Sequence, residues 1–286
     1  MTWFFLAFGT ACCEAIKDVL SKKSLATRAP VVVTFWLCAL TSLGMLPLLI
    51  HQGVPPLTST YWLSIAISGF LNTIAFLLYN RALQITDLSL VVPIVTLSPL
   101  FMFFTSPLIV GEFGQWSDVI GSCLILLGSY TLNWETRSAG YLAPLRALWQ
   151  HRGPRQMLIV AFIWSFTSNI DKVGIQNSSI LWWIFSLYGT IALALLGLLL
   201  YQGRRLELGG NASDWLLLGI MGFFHGFGIL IQMEALKLTL VLRVISVKRM
   251  STLIGVLLGA FFLKEPGLRH RFLGASLMVA GVVVLL

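Results

Sequence analysis

Glu14, Lys17 and Asp18 stand three and four residues apart, so on a helix they share one face, and Thr10 extends that face by a turn. Two carboxylates and an ammonium so placed can neutralise one another, hold a charged solute, or carry a proton. Lys248 and Arg249, with Ser246, Ser251 and Thr252 around them, form a second charged group, and His225 marks a third. All lie inside apolar stretches. A charge at the centre of a membrane-spanning helix costs about 2.5–3.5 kcal/mol on insertion scales, so such side chains face one another or a polar space. The residues expected to meet a solute are Glu14, His225, Lys248 and Arg249, with Trp36 and Trp164, which lie deeper than indoles that anchor at an interface. Arg249 is the expected contact, with Glu14 as its partner or as a proton carrier. The alternative for this group is a structural salt bridge.

The elements that must position these groups follow from composition. With 57% hydrophobic and only 10% charged residues, the chain lacks the polar surface of a water-soluble domain, where charged residues make up about 25%. No secretory leader is expected, because Met1 runs straight into the first apolar stretch. Ten stretches are long enough for helical spans, at about 2–21, 31–50, 60–81, 88–109, 117–134, 155–176, 180–201, 214–236, 239–262 and 268–286. They are continuously apolar, which excludes barrel strands. The expected fold is an all-α membrane protein of ten transmembrane helices.

The chain also repeats itself. Arg81-Ala82-Leu83-Gln84-Ile85-Thr86 matches Glu234-Ala235-Leu236-Lys237-Leu238-Thr239 at an offset of 153 residues, and the register carries Gly121 onto Gly274 and Gly128 onto Gly281. Nearer the N-terminus the offset is 154, which lays Asp18 over Lys172 and Lys17 over Asp171. Residues 1–134 and 155–286 are therefore two five-helix repeats joined by a polar linker, 135–154. An odd number of spans in each makes them inverted-topology repeats. Lys22, Lys23, Arg28, Arg137, Arg146, Arg152, Arg155, Arg204, Arg205, Lys264, Arg269 and Arg271 all fall on one side, which the positive-inside rule makes cytoplasmic, with the linker there and both termini outside. The net charge of +8 is then topological, and no nucleic-acid partner is implied.

Between the repeats, Asp18 and Arg81 correspond to Lys172 and Glu234, so a pair at these positions stays complementary when both signs reverse. Lys17, Asp18 and Arg81 are expected to gate the inner mouth, and Asp171, Lys172 and Glu234 the outer. Snorkelling to the interface is the alternative. Intramembrane bases (Lys17, Arg81, Lys172, Lys237, Arg243, Lys248, Arg249) outnumber acids (Glu14, Asp18, Asp171, Glu234), which favours an anionic or zwitterionic solute. In the first repeat, Pro93 and Pro99 flank the positions equivalent to Lys248 and Arg249 and imply a bent backbone. Glu112 and Glu265, equivalent and interfacial, are expected to cap the helices that follow them.

Cys12, Cys13, Cys38 and Cys123 lie in apolar spans and suggest neither a disulfide framework nor a metal site. No phosphate-cradling glycine loop is present, so neither ATP hydrolysis nor a cofactor is expected. An intramembrane enzyme using His225 with Glu14 or Glu234 is disfavoured, since the loop histidines His51, His151 and His270 are scattered.

Asn80-Arg81-Ala82-Leu83 ahead of Ser98-Pro99-Leu100, and Lys264-Glu265 ahead of Gly274, set in ten spans and a five-plus-five duplication, resemble the EamA-type members of the drug/metabolite transporter superfamily over nearly the whole chain. The resemblance implies a carrier with a central cavity between the halves, moving metabolites, amino acids or amphiphiles, often outward, and not an enzyme. Its members are often described with cytoplasmic termini, against the orientation the loop charges give here. The expected function is secondary-active transport of a small organic metabolite by alternating access, proton-coupled or by exchange, in the cell membrane. Translocation of a lipid-linked substrate is the alternative, and the partners are a small molecule, the bilayer and, as an open question, a second copy of the chain in a homodimer.

Overall fold

A computed structural model describes residues 1–86, 94–131, 152–203, 209–255 and 268–286, with side chains of the last segment from 273. The described residues are helical throughout, with no strand: α1 (Thr2–Leu25), α2 (Pro30–Gln52), α3 (Ser59–Ile85), α4 (Ser98–Ile109), α5 (Trp116–Thr131), α6 (Arg152–Gln176), α7 (Ile180–Tyr201), α8 (Ala212–Leu238), α9 (Val241–Lys248) and α10 (Leu268–Leu285). Pro93, Glu265, most of the 135–154 linker and the basic residues Arg137, Arg146, Arg204, Arg205 and Lys264 lie outside the described residues. Five helices, α2, α3, α6, α7 and α8, are long and apolar enough to cross a membrane. The long α1 is excluded by its own charges, since Glu14, Lys17 and Asp18 interrupt its apolar run.

Equivalent sequence signals start and stop equivalent helices. The Thr58 hydroxyl accepts from Tyr61 N–H at the start of α3, and the Asn211 side chain accepts from Asp214 N–H at the start of α8 while Asp214 reaches back to Asn211 N–H, a reciprocal cap. Asn211 is thus a cap residue. At the other end, α2 and α7 stop at Gly53 and Gly203, whose φ of 72° and 69° lie in the left-handed region that favours glycine.

The helices pair across the repeats. The most extensive contacts are α5 with α10, α1 with α8, α2 with α7 and α3 with α6. This pattern is unchanged when each helix of one half is exchanged for its counterpart in the other. At α5–α10 the pairing is residue by residue: a Cβ on Gly121 would lie 2.8 Å from the Gly281 carbonyl oxygen, and one on Gly128 would lie 2.6 Å from that of Gly274. Since Gly121 and Gly128 are the counterparts of Gly274 and Gly281, the two helices run antiparallel about a local two-fold axis, and only glycine lets the backbones approach this closely.

Helices 4 and 9 are not the continuous spans expected from the sequence. In the first repeat residues 94–95 are helical, 96–97 form a turn, and α4 restarts at Ser98, with Pro99 in its first turn where a missing N–H costs nothing. In the second, α9 ends at Lys248, Arg249 and Met250 form a turn, and helix resumes over 251–255. The turns are repeat-equivalent. At both, backbone bonds tighten to a three-residue spacing, Leu97 N–H to Ile94 O at 3.1 Å and Met250 N–H to Val247 O at 2.9 Å.

Candidate functional site

The charged residues of α1 converge with the α9 interruption. Lys17, 2% exposed, lies between Glu14 and Asp18, with Nζ 2.9 Å from Glu14 Oε1 and 2.7 Å from Asp18 Oδ1. Tyr79 of α3 donates its hydroxyl to Asp18 at 2.7 Å, and its ring lies 5.0 Å from the Lys17 ammonium. This closes a compact acid–base–acid group with one net negative charge. Lys248 approaches it from α9, with Nζ 3.6 Å from Glu14 Oε2, while its hydrogen bond goes to Gln232 of α8 at 2.9 Å.

Arg249, the next residue, turns to the first repeat. Its Nε and Nη2 donate to Ser98 Oγ at 3.1 and 2.6 Å, so the charge at one helix interruption crosses to the restart of helix at the other. The guanidinium lies 5.6 Å from the Trp164 ring, and Trp164 packs on Tyr79 at 5.1 Å and on Phe76 at 6.0 Å. Among the described residues no carboxylate lies within 4.0 Å of Arg249, which is 5% exposed. A buried guanidinium with one hydroxyl partner and no direct ion pair among the described residues retains unused donors, which an anion can take up.

His225 completes the cluster. Its ring stands edge-on to Tyr188 of α7 at 5.2 Å and to Phe76 at 5.9 Å, it is 4% exposed, and among the described residues neither ring nitrogen has a hydrogen-bond partner. Glu14, Lys17 and Lys248 are within electrostatic reach of it. Asp171 is buried, accepts from Trp183 Nε1 at 3.1 Å and is within electrostatic reach of Lys248. Seven helices thus contribute to one polar centre: α1, α3, α4, α6, α7, α8 and α9 with the turn that follows it.

Of the expected solute contacts, Glu14, Trp164, His225, Lys248 and Arg249 meet here. Trp36 does not: its ring stands on Trp215 at 4.6 Å, ten residues and about 15 Å along α8 from His225. The expected Glu14–Arg249 pairing is not formed, because Lys17 and Lys248 take the carboxylate and Arg249 takes Ser98.

The expected gate pairs are also not formed. Asp18 meets Tyr79, and Arg81, two residues and about 200° further round α3, lies on the exposed face. Lys172 pairs with Glu112, and Glu234 is exposed beside Lys237 at 3.8 Å. Nor does Glu112 cap the helix that follows it. Its Oε2 accepts from Val241 N–H at 2.8 Å, the first residue of α9, and its other oxygen pairs with Lys172, which also donates to Thr239 O at 2.7 Å. Arg243 pairs with Asp118 of α5 at 2.7 Å, so two ion pairs fasten the start of α9 to the α4–α5 connection and to α6. The carbonyl of Thr86, the repeat equivalent of Thr239, accepts from Lys22 at 3.0 Å, and Lys22 also donates to Leu83 O, which latches α1 to the end of α3. Sequence reading missed Ser98, Tyr79 and Gln232 as parts of the site. Tyr79 and Gln232 are repeat equivalents, and that was their available signal.

No group of three or more metal-ligating side chains occurs among the described residues, and the four cysteines are free thiols. No curated protein matches the sequence. A solved structure described only as "Crystal structure of protein" superposes with a TM-score of 0.73 over 97% of this chain and 94% of its own, at 17% identity, which is a likeness of fold. The sequence model of the EamA-like transporter family matches twice, over residues 1–134 and 152–286. With five apolar spanning helices and a match to each half, the chain is an integral membrane protein that belongs to the EamA-like transporter family of the drug/metabolite transporter superfamily.

Proposed function

We propose that the chain is a secondary-active carrier for a small organic solute bearing an anionic group, which it binds between the two halves at the paired helix interruptions. The observation that carries this reading is Arg249: a buried guanidinium at the α9 turn, hydrogen-bonded only to Ser98 beside the α4 turn, roofed by Trp164 and without a carboxylate within 4.0 Å among the described residues. Helices interrupted at matching places in two repeats are the recurring construction of solute sites in carriers, because the freed backbone is tolerated only where protein or solute re-satisfies it. The α4 and α9 turns fit that construction. The antiparallel two-fold contact of α5 with α10 supports inverted repeats, and alternating access follows as one half rocks against the other.

The Glu112–Lys172 and Asp118–Arg243 pairs hold one end of this bundle closed in place of the expected gates. Positive-inside orientation puts that end outside and the basic linker in the cytoplasm. The test is solute counterflow in proteoliposomes preloaded with candidate carboxylates. Accelerated uptake of a labelled solute that Arg249→Ala abolishes supports the reading; protein-mediated counterflow indifferent to Arg249→Ala sinks it.

A further inference from the structure

Glu14 is held by two ammonium groups in unequal ways. Lys17 makes a 2.9 Å hydrogen bond from one turn away on the same helix, and is fixed there by Asp18 at 2.7 Å. Lys248 comes from another helix, stops 3.6 Å from the second carboxylate oxygen, and gives its hydrogen bond to Gln232. Charge-assisted hydrogen bonds that serve structure are shorter, about 2.7–2.9 Å. The second oxygen of Glu14 therefore has a cation nearby but no hydrogen bond from it.

Three further features bear on this contact. The repeat counterpart of Lys248 is Val95 and that of Glu14 is Ser168, so the scaffold itself does not require an ion pair here. His225, buried and with both ring nitrogens unpartnered among the described residues, lies within electrostatic reach of both residues. Asp171 is a buried carboxylate with one hydrogen bond, from Trp183, no cation within 4.0 Å among the described residues, and Lys248 within electrostatic reach. Asp171 is thus an acid without an ion pair among the described residues whose charge acts on the lysine.

We propose that Lys248 is a tethered stand-in for the solute's own ammonium group. It occupies a primary-ammonium seat on Glu14 Oε2, and a solute amine takes that seat while Lys248 moves toward Asp171. This rests on the carrier reading above and narrows its substrate class to zwitterions whose anionic group lies on Arg249 and whose primary amine lies on Glu14, with His225 beside it. The three acids Glu14, Asp18 and Asp171 already balance Lys17, Lys248 and Arg249. A zwitterion adds no net charge, so the low-dielectric centre stays balanced in both states.

The direct test is binding of n-butylammonium, a primary amine with no carboxylate, to purified protein in nanodiscs, read by thermal unfolding. In wild type the free amine competes with a tethered lysine at high effective concentration. In Lys248→Met the seat is vacated. The expected result is affinity at least about tenfold higher in Lys248→Met than in wild type, lost again in Lys248→Met with Glu14→Gln. If Lys248→Met fails to fold, Lys248→Gln takes its place. Equal affinity in wild type and variant, absence of binding to the variant, or binding indifferent to Glu14→Gln overturns the proposal. Because this measurement needs no transport, its failure is separate from that of the carrier reading, which falls only if anionic solutes move independently of Arg249.

Discussion

Lys17 is the most deeply buried charge of the site, and its surroundings show how a spanning helix tolerates it. An isolated ammonium at this depth would be ejected, but a carboxylate one turn earlier and another on the next residue satisfy it, and a tyrosine hydroxyl satisfies one of those in turn. Removing that hydroxyl leaves a buried carboxylate short of a donor. Tyr79→Phe is expected to destabilise the protein by about 1.5–3 kcal/mol, seen as a lower unfolding temperature in detergent; an unchanged transition would show that the bond contributes nothing. The grouping of Glu14, Lys17 and Asp18 was legible from spacing alone, because positions three and four apart share a helix face whatever the helix packs against. The partners from other helices were not. Whether Asp18 meets position 79 or position 81 depends on the rotation of α3 about its axis, which a uniformly apolar helix does not record.

At the scale of elements, the decisive feature is the pair of matched interruptions in helices 4 and 9. Pro99 announced the first, but residues 246–252 contain neither proline nor glycine, so the second carried no local signal and both helices read as continuous. Their positions place Lys248, Arg249 and Ser98 face to face, which two straight helices would not require. The start of α9 is secured by Glu112, which joins Lys172 of α6 to the first N–H of the helix, at side-chain exposures of 14% and 11% for the ion pair. Breaking such a pair from one side strands a charge. Lys172→Met alone is expected to cost about 3–5 kcal/mol, and the double variant with Glu112→Gln less than the sum of the two single changes. Additive losses in unfolding free energy would show that the two residues do not couple.

For the whole molecule, the duplicated sequence was the most legible property, since a shared register over 153 residues survives even where signs reverse. The glycines that recur in register, Gly121 with Gly274 and Gly128 with Gly281, are those at which α5 and α10 approach, a contact the register by itself did not state. Gly128→Val and Gly281→Val are each expected to destabilise by about 1–3 kcal/mol through overpacking, whereas Gly219→Ala, with open space around its Cβ, is expected to be neutral or stabilising. Equal unfolding temperatures for Gly128→Val and wild type would contradict the close approach. What the register could not foretell is how unevenly function is distributed over a symmetric scaffold. Helices 1 and 9 hold Glu14, Lys17, Asp18, Lys248 and Arg249, while the equivalent contact of α6 with α4 is built from Asn169, Thr105 and Ser165. In the proposed carrier, a charged α1–α9 contact facing an uncharged α4–α6 contact sets a single orientation for a polar solute.

The most direct measurement sets two arginines against each other in solute counterflow: Arg249, buried at the α9 turn beneath Trp164, and Arg81, exposed on α3. Arg249→Ala is expected to lower counterflow of an anionic solute by tenfold or more, on the scale of about 1.4 kcal/mol or more of lost binding, while Arg81→Ala stays near wild type. Loss of transport in Arg81→Ala with Arg249→Ala unaffected would contradict a central anion seat and return the weight to the gate expected from sequence.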